Sequence, residues 1–330
     1  AEAALPWMWT TRDRRSLTAA THIPPALMTP ADLSRKLWDL CHVLRDDGIT
    51  YHEYLTELTY ILFLKMAKET RIEKLLPKGC RWDDLTALGS DALLASYREA
   101  LAHLGTRASP RVKAIFAHAR TSIKQPKNLQ TLVAEINRLD WHDAQAEGLG
   151  GVYEDLLERN ATEKKAGAGQ YFTPRPVIDC MVRRVQPKPR EIVQDPAAGT
   201  AGFLISVDRY ITEHYELTTA DLDFHRRKAF YGVELVGDTH RLALMNLMLH
   251  GIEANFHNAD SLSAAGAALL PMADVILTNP PFGTKNGGGA PDRKLPFPTS
   301  NKQFAFLQHI YTGLKPGGRA AVVLPDNVLS

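Results

Sequence analysis

Cysteine is scarce in this sequence: Cys41, Cys80 and Cys180 are the only three among 330 residues, and they lie far apart. That excludes a disulfide framework and a cysteine-based zinc site. Charge of one sign is lacking too, because 39 Lys and Arg face 37 Asp and Glu for a formal net charge of +2. A chain so balanced does not coat nucleic acid by bulk charge, and any such contact has to come from a local patch. No run approaches the ~18 apolar residues of a membrane span, and the opening AEAALPWMWTTRDRR has no apolar core of the signal-peptide kind. Internal repeats and low-complexity tracts are missing; the nearest thing is the glycine-rich stretch Gly283–Pro291. What remains is the expectation of a cytoplasmic globular protein that does not engage a membrane. A domain averages about 150 residues, so two domains are expected.

The pattern along the chain divides in the same way. Residues 1–28 hold Pro6, Pro24 and Pro25 without sustained periodicity and read as an irregular arm. Thr29-Pro30-Ala31-Asp32 then gives a helix start, with a cap, a proline at the first helical position and an acid in the first turn. Leu33, Leu37, Leu40 and Leu44 recur at helical spacing as far as Gly48. A second helix is predicted from Tyr51 to Leu76, ended by Pro77 and Gly79, with one broad apolar face that includes Tyr54, Leu58, Ile61 and Met66. Further helices are predicted from Ser109-Pro110, over 127–139 and over 150–160, so residues 29–162 form a helical domain.

After Ala166-Gly167-Ala168-Gly169, residues 163–330 alternate short β-branched runs with helical stretches. Strands are predicted at 191–193, 229–233, 255–258, 274–278 and 319–324, and helices near 176–186, 201–216, 238–251 and 302–314. Such alternation specifies an α/β fold with a parallel sheet covered on both faces. In each case a polar residue follows the strand, where open sheets of this class bind ligands.

Two constellations carry chemistry. In Asp195-Pro196-Ala197-Ala198-Gly199-Thr200-Ala201-Gly202-Phe203 a strand, a small-residue turn and a helix start would let a ligand lie against backbone. A plain strand-to-helix turn has the same look. Glu234 ends the next strand, where an acid can take a ribose diol or merely start a helix. In Asn279-Pro280-Pro281-Phe282 two prolines remove two donors, so carbonyl oxygens there are free to accept from an amine. Asn279 adds a side-chain acceptor, and Phe282 a flat face for a planar ring.

Asp195–Phe203, Tyr231–Glu234, Asp260 and Asn279–Phe282 together resemble the ordered motifs of S-adenosylmethionine-dependent methyltransferases acting on the N(6) amine of adenine in DNA. Gly169-Gln170-Tyr171-Phe172-Thr173-Pro174, behind a helical domain, is similar to the modification (M) subunit of type I restriction–modification systems. The resemblance implies a Rossmann-like methyltransferase sheet preceded by an all-helical domain. It implies that Gln170, Tyr171, Phe172 and Thr173 touch the methionine part of S-adenosylmethionine. It also implies that Asp195, Ala197, Gly199, Thr200, Gly202 and Phe203 line the cofactor, with Glu234 on its ribose and Asp260 on its adenine amine. Asn279, Pro280, Pro281 and Phe282 would form the catalytic turn. The implied partners are DNA, a specificity (S) subunit, a second M subunit and a restriction (R) subunit.

The family loop has glycine where this chain has Ala201, so one extra methyl is expected beside the cofactor at a small cost in affinity. Sheets of this family finish with two more strands as a hairpin, so the stop at Ser330 is expected to fall inside the catalytic domain.

The chemistry follows from the residues as well. An aromatic exocyclic amine is a poor nucleophile because its lone pair is delocalised into the ring. Accepting its two N–H groups on the Asn279 oxygen and the Pro280 carbonyl favours a tetrahedral nitrogen and frees that lone pair for in-line attack on a sulfonium methyl. The base must first leave the duplex. A methyltransferase acting on a protein glutamine amide uses a similar turn, and a non-catalytic scaffold would keep the fold alone. Two basic groups have both a DNA-facing and a solvated reading. One is Lys164, Lys165, Arg175, Arg183, Arg184, Lys188 and Arg190. The other is Arg107, Arg111, Lys113, Arg120, Lys124 and Lys127.

Overall fold

The first helix, α1 (Pro30–Asp39), begins on a proline, whose missing N–H would be unpaired at a helix start anyway. It tightens into a 3-10 stretch, Leu40–Asp47, and Gly48 turns the chain away at φ +72°. A computed structural model describes residues 30–70, 72–139, 141, 152–156, 173–282 and 295–328 of this chain. The N-terminal arm and most of the segment expected to join the two domains, with its boundary at 162/163, fall outside them.

Helix α2 (Tyr51–Glu69) is started by a capping box: Thr50 Oγ1 accepts from Glu53 N at 3.3 Å and Glu53 Oε2 accepts from Thr50 N at 2.9 Å. Its burial is nearly continuous from Tyr54 to Ala67, polar Glu57, Thr59 and Lys65 included. A helix buried all round is the axis of a domain rather than one of its faces. Its buried polar groups are all engaged. Glu57 accepts from Ser122 N and from Tyr97 Oη, and Lys65 pairs with Glu69 at 2.6 Å beside the rings of Trp82 and Trp141. The helix ends at Glu69, seven residues before the predicted Leu76. Thr70 turns both its N–H (2.8 Å) and its hydroxyl (2.7 Å) back onto Met66 O, and a 3-10 turn, Glu73–Leu75, carries the chain to Pro77. Helices α3 (Trp82–Thr86), α4 (Ser90–Arg107), α5 (Pro110–Ile115) and α6 (Pro126–Arg138) surround α2 and share one apolar core with it.

The second half is built from α7 (Arg175–Val185), β1 (Val193–Asp195), α8 (Gly202–His214), α9 (Thr219–Lys228), β2 (Phe230–Glu234) and α10 (Gly237–Leu249). It continues with β3 (Asn255–Asn258), α11 (Ala264–Ala267), β4 (Ala273–Thr278), α12 (Lys302–Gly313) and β5 (Leu314–Val322). The strands form one parallel sheet in the order β3-β2-β1-β4-β5. The order reverses between β1 and β4, and ligands bind at the carboxyl ends flanking such a reversal. The sheet is the one expected, with local differences. β1 begins at Val193 rather than 191. β5 begins at Leu314 and takes in Gly317 at φ +76°, opposite a register shift in β4 between Ala273 and Val275. No described helix is long and apolar enough to cross a membrane.

The two halves share α10. Ala243 and Leu247 sit in the core of the sheet, while Met245 is fully buried in the core of the helical half with Leu242, Met248 and Leu249 packed against it. Arg241 adds a polar bolt: Nη2 donates to Ala117 O at 3.0 Å, Nη1 pairs with Asp238 at 3.2 Å, and the guanidinium lies 5.8 Å from the Tyr60 ring centroid. A Met245→Ala change is therefore expected to destabilise the whole molecule by about 2–5 kcal/mol. Urea denaturation followed by both far-UV circular dichroism and tryptophan fluorescence should show one shifted transition. An unmoved midpoint would mean that the halves do not share a core.

Candidate functional site

Asp195, Glu234 and Asn279 end or directly follow β1, β2 and β4, and Asp260 lies two residues beyond β3. The strand order places them along one edge of the sheet as Asp260, Glu234, Asp195, Asn279. At ~4.8 Å per strand that edge runs for about 14 Å, the length of an extended nucleoside with a small appendage.

The loop after β1 has the conformation its small residues suggest. Asp195 is 1% exposed; its Oδ1 accepts from Ala197 N at 3.1 Å, while Oδ2 has no partner among the described residues. Gly199 stands at φ +54° with nothing within 4 Å of where a Cβ would be, so the backbone lies open to a ligand. Thr200 O accepts from Asn246 Nδ2 of α10 at 3.0 Å, which fixes the turn from below. Ala201 corrects the sequence expectation. At φ +68° and 0% exposure its methyl is packed in the sheet's core, not beside a ligand. Left-handed backbone at a non-glycine residue costs roughly 1–2 kcal/mol, and burying one methyl offsets about 0.8 kcal/mol of it. Phe203 is likewise in the core with its ring, so Gly202 and Phe203 can meet a ligand only through the helix start of α8.

Glu234 spends its carboxylate on backbone: Oε2 accepts from Gly199 N at 2.9 Å and Oε1 from Val236 N at 2.8 Å. It thereby clamps the glycine turn to β2, and burial raises its pKa against the pull of those N–H donors. Each of its oxygens keeps a lone pair for a further donor such as a hydroxyl. Leu235 and Val236 beside it are 64% and 41% exposed, an apolar surface that sequence reasoning missed although the pair directly follows a strand-end acid. Asn258, also missed, donates from Nδ2 to Glu234 O (2.8 Å) and Leu235 O (3.0 Å), tying the ends of β2 and β3. Asp260 accepts from Leu262 N at 2.9 Å through Oδ1 and is half-buried.

In the Asn-Pro-Pro-Phe turn, Pro280 is buried, Pro281 exposed and Phe282 half-buried. Asn279 Nδ2 donates to Thr173 Oγ1 at 2.9 Å, and Asn279 Oδ1 has no partner among the described residues. Thr278 Oγ1 and Gln303 Oε1 are also buried without one. Asp195 at the end of β1 and Thr278 and Asn279 at the end of β4 thus carry buried unpaired oxygens, which call for N–H donors or a cation.

Asp195 is the extreme case: burial raises its pKa to about 7, and Thr278 and the Ala197 N–H only temper the rise. Neither Asp195 Oδ2 nor Thr278 Oγ1 completes a hydrogen bond of ordinary geometry. These residues fit S-adenosylmethionine: an ammonium for Asp195, a diol for Glu234 and an aromatic amine for Asp260.

Gln170, Tyr171 and Phe172 lie outside the described residues, as do Lys164, Lys165 and residues 283–294. Arg175 and Arg190 are held in ion pairs, the first with Glu154 (3.0 Å) and Asp155 (3.2 Å), the second with Asp221 (2.5 Å). Of the helical-domain group, Arg111 pairs across the halves with Glu253 at 3.6 Å.

The profile of the N-6 DNA Methylase family matches residues 144–330. The chain is 48% identical to the type I restriction enzyme StySPI methylase subunit of Salmonella potsdam over 316 residues, covering 92% of this chain and 60% of that protein. The EcoKI methylase subunit of Escherichia coli K12 gives the same figures: 48%, 92% and 60%. The chain therefore spans 60% of the length of these curated relatives. A solved structure concerned with complex assembly and conformational transition of the type I R-M system superposes with a TM-score of 0.73 at 27% identity. It covers 92% of this chain and 66% of the other.

The state of Asp195 has a consequence for stability. Its pKa rises on folding from the model-peptide value of 3.8 to about 7, so the folded chain binds the extra proton between those values. That contribution is fully present below about pH 3.8 and is lost as the pH climbs to about 7. Asp195→Asn, which is neutral at every pH and can still accept from Ala197 N, should be the more stable protein at pH 8 by roughly 1–4 kcal/mol in the ligand-free state. The difference should shrink steadily towards pH 4. Urea titrations across that range check it, and a difference independent of pH would contradict a proton on Asp195.

Proposed function

Because the chain belongs to the N-6 DNA Methylase family, we propose that it carries the catalytic part of a type I modification subunit. The reaction is transfer of a methyl group from S-adenosylmethionine to the exocyclic N(6) amine of an adenine flipped out of duplex DNA. The observation that carries this reading is the unpaired Asn279 Oδ1 in a rigid Asn-Pro-Pro-Phe turn on the strand next to the Asp195 loop.

The chain's own groups would hold the cofactor along the carboxyl edge of the sheet. Asp260 accepts from its adenine amine, Glu234 from its ribose hydroxyls, and Asp195 takes its ammonium and becomes ionised in doing so. Gly199 lets the backbone approach closely, and Leu235 and Val236 flank the adenine. When bound, the cofactor supplies a methyl on a positively charged sulfur, already activated for displacement.

The remaining work is orientation and electrostatics. Phe282 stacks on the flipped base, while Asn279 Oδ1 and the Pro280 carbonyl accept its two N–H groups. Those bonds strengthen as the nitrogen becomes tetrahedral and gains positive charge, so they stabilise the transition state more than the ground state.

The near balance of 39 basic and 37 acidic residues supports leaving sequence choice to a separate specificity subunit. That the relatives are methylase subunits of type I restriction enzymes supports assembly with other subunits; on this reading those are the specificity subunit, a second modification subunit and a restriction subunit, in the cytoplasm.

Transfer of labelled methyl to duplex DNA, with the specificity subunit present, tests the reading. Label should appear on adenine N(6). Asn279→Ala should lower kcat by about 10²–10³-fold with cofactor affinity unchanged. Phe282→Ala should weaken productive DNA binding by about 5- to 150-fold, the equivalent of one lost base stack. Label on a protein glutamine, or an Asn279→Ala enzyme at full rate, would refute it.

A further inference from the structure

The hydrogen bond from Asn279 Nδ2 to Thr173 Oγ1 joins residues 106 positions apart, and both partners directly precede a proline. A residue before proline is disfavoured in helical backbone and biased to extended conformations, so both ends of this bond sit on restricted main chain. The Thr173 side is fixed further. Pro174 caps α7 at φ −57° and ψ 137°, and its carbonyl accepts from Val177 N (3.0 Å) and Ile178 N (3.1 Å). Arg175, the first residue of α7, is tied to Glu154 and Asp155 at 3.0 and 3.2 Å. A carboxamide presents its nitrogen and its oxygen on opposite sides. Fixing Nδ2 on Thr173 therefore also fixes where Oδ1 points.

We propose that Thr173 is a positioning residue: its hydroxyl selects and holds the orientation of the Asn279 carboxamide in which Oδ1, not the NH₂, faces the amine to be methylated. This rests on the function proposed above and gives Thr173 a role other than the cofactor contact that family resemblance implies. Without the hydroxyl, Asn279 Nδ2 loses its acceptor. The amide then turns between two orientations, one of which sets donors against donors at the substrate amine. The ion pairs of Arg175 make the same orientation depend on the helical segment at 152–156, since they fix the start of α7 from which Thr173 projects.

The test uses the chain assembled with its specificity subunit. Thr173→Val keeps the shape and removes the hydroxyl; kcat should fall about 10- to 100-fold, with the dissociation constants of cofactor and DNA unchanged. Thr173→Ser should restore most of that loss. In an Asn279→Ala background the valine substitution should cost nothing further, because a residue acting through Asn279 has nothing left to act on. A second reading needs no turnover. In protein labelled with ¹⁵N-asparagine, the Asn279 side-chain amide protons, assigned by their absence in Asn279→Ala, should move towards the positions of a free amide in Thr173→Val. A raised cofactor dissociation constant with kcat intact would overturn the proposal in favour of a cofactor contact. Additive losses with Asn279→Ala, or unmoved amide resonances, would overturn it outright. Wild-type protein that fails to methylate DNA would count against the proposed function alone, and the resonance shift would still decide the role of Thr173.

Discussion

A carboxylate sealed from water with one oxygen unpaired is costly, and the ligand-binding end of this sheet is arranged around such a group. Asp195 ends the central strand, 1% exposed, and lacks a donor for Oδ2 among the described residues. Desolvation disfavours its charge and nothing nearby fully compensates, so its pKa rises to about 7. Glu234, one strand away, meets the same burial and resolves it by taking Gly199 N and Val236 N. The two acids therefore divide the labour. Glu234 holds the glycine turn in shape, and Asp195 keeps one oxygen without a donor among the described residues. The same logic extends to Asn279, whose nitrogen is satisfied by Thr173 and whose oxygen is not.

Holding unpaired oxygens in place requires a rigid surround, which the helical half helps to supply. Helix α10 contributes to both apolar cores, and Asn246 on it fixes Thr200 in the glycine turn. Arg241 on the same helix reaches the loop at Ala117. On the other side, the segment at 152–156 is linked through Arg175 to the start of α7, and α7 begins directly after Thr173. The helical half thus touches this end of the sheet by two routes, one beneath the glycine turn and one behind Asn279.

Much of this was legible in the sequence, and the limits have physical causes. The strand-end acids and the Asn-Pro-Pro-Phe turn announce themselves locally, because strand, turn and polar residue follow one another within a few positions. Five parallel strands follow from the β-branched runs. The start of β5 does not, since Lys315-Pro316-Gly317-Gly318 reads as a turn and lies in the register shift between the Ala273–Leu314 and Val275–Arg319 pairs. Helix α4 was equally legible, since Leu93, Tyr97, Leu101 and Leu104 recur at helical spacing, although it was not singled out. The roles of Thr173, Asn246 and Asn258 could not be read at all. Each depends on a hydrogen bond to a residue 24 or more positions away, and nothing in their own surroundings marks them. Ala201 shows a different limit: its methyl is expected beside a ligand, but the left-handed backbone at φ +68° turns it into the core.

The central claim is that the unpaired oxygens are ligand acceptors, with Asp195 the one whose charge state changes. Calorimetric titration with S-adenosylmethionine in two buffers of different ionisation enthalpy tests it most directly, because it counts protons exchanged on binding. With a free-state pKa of about 7 and an ionised bound state, Asp195 should release about half a proton per cofactor at pH 7, offset slightly by uptake on the cofactor's own amine, with net release rising towards one at pH 6. Tight binding with no proton release at either pH would contradict the account.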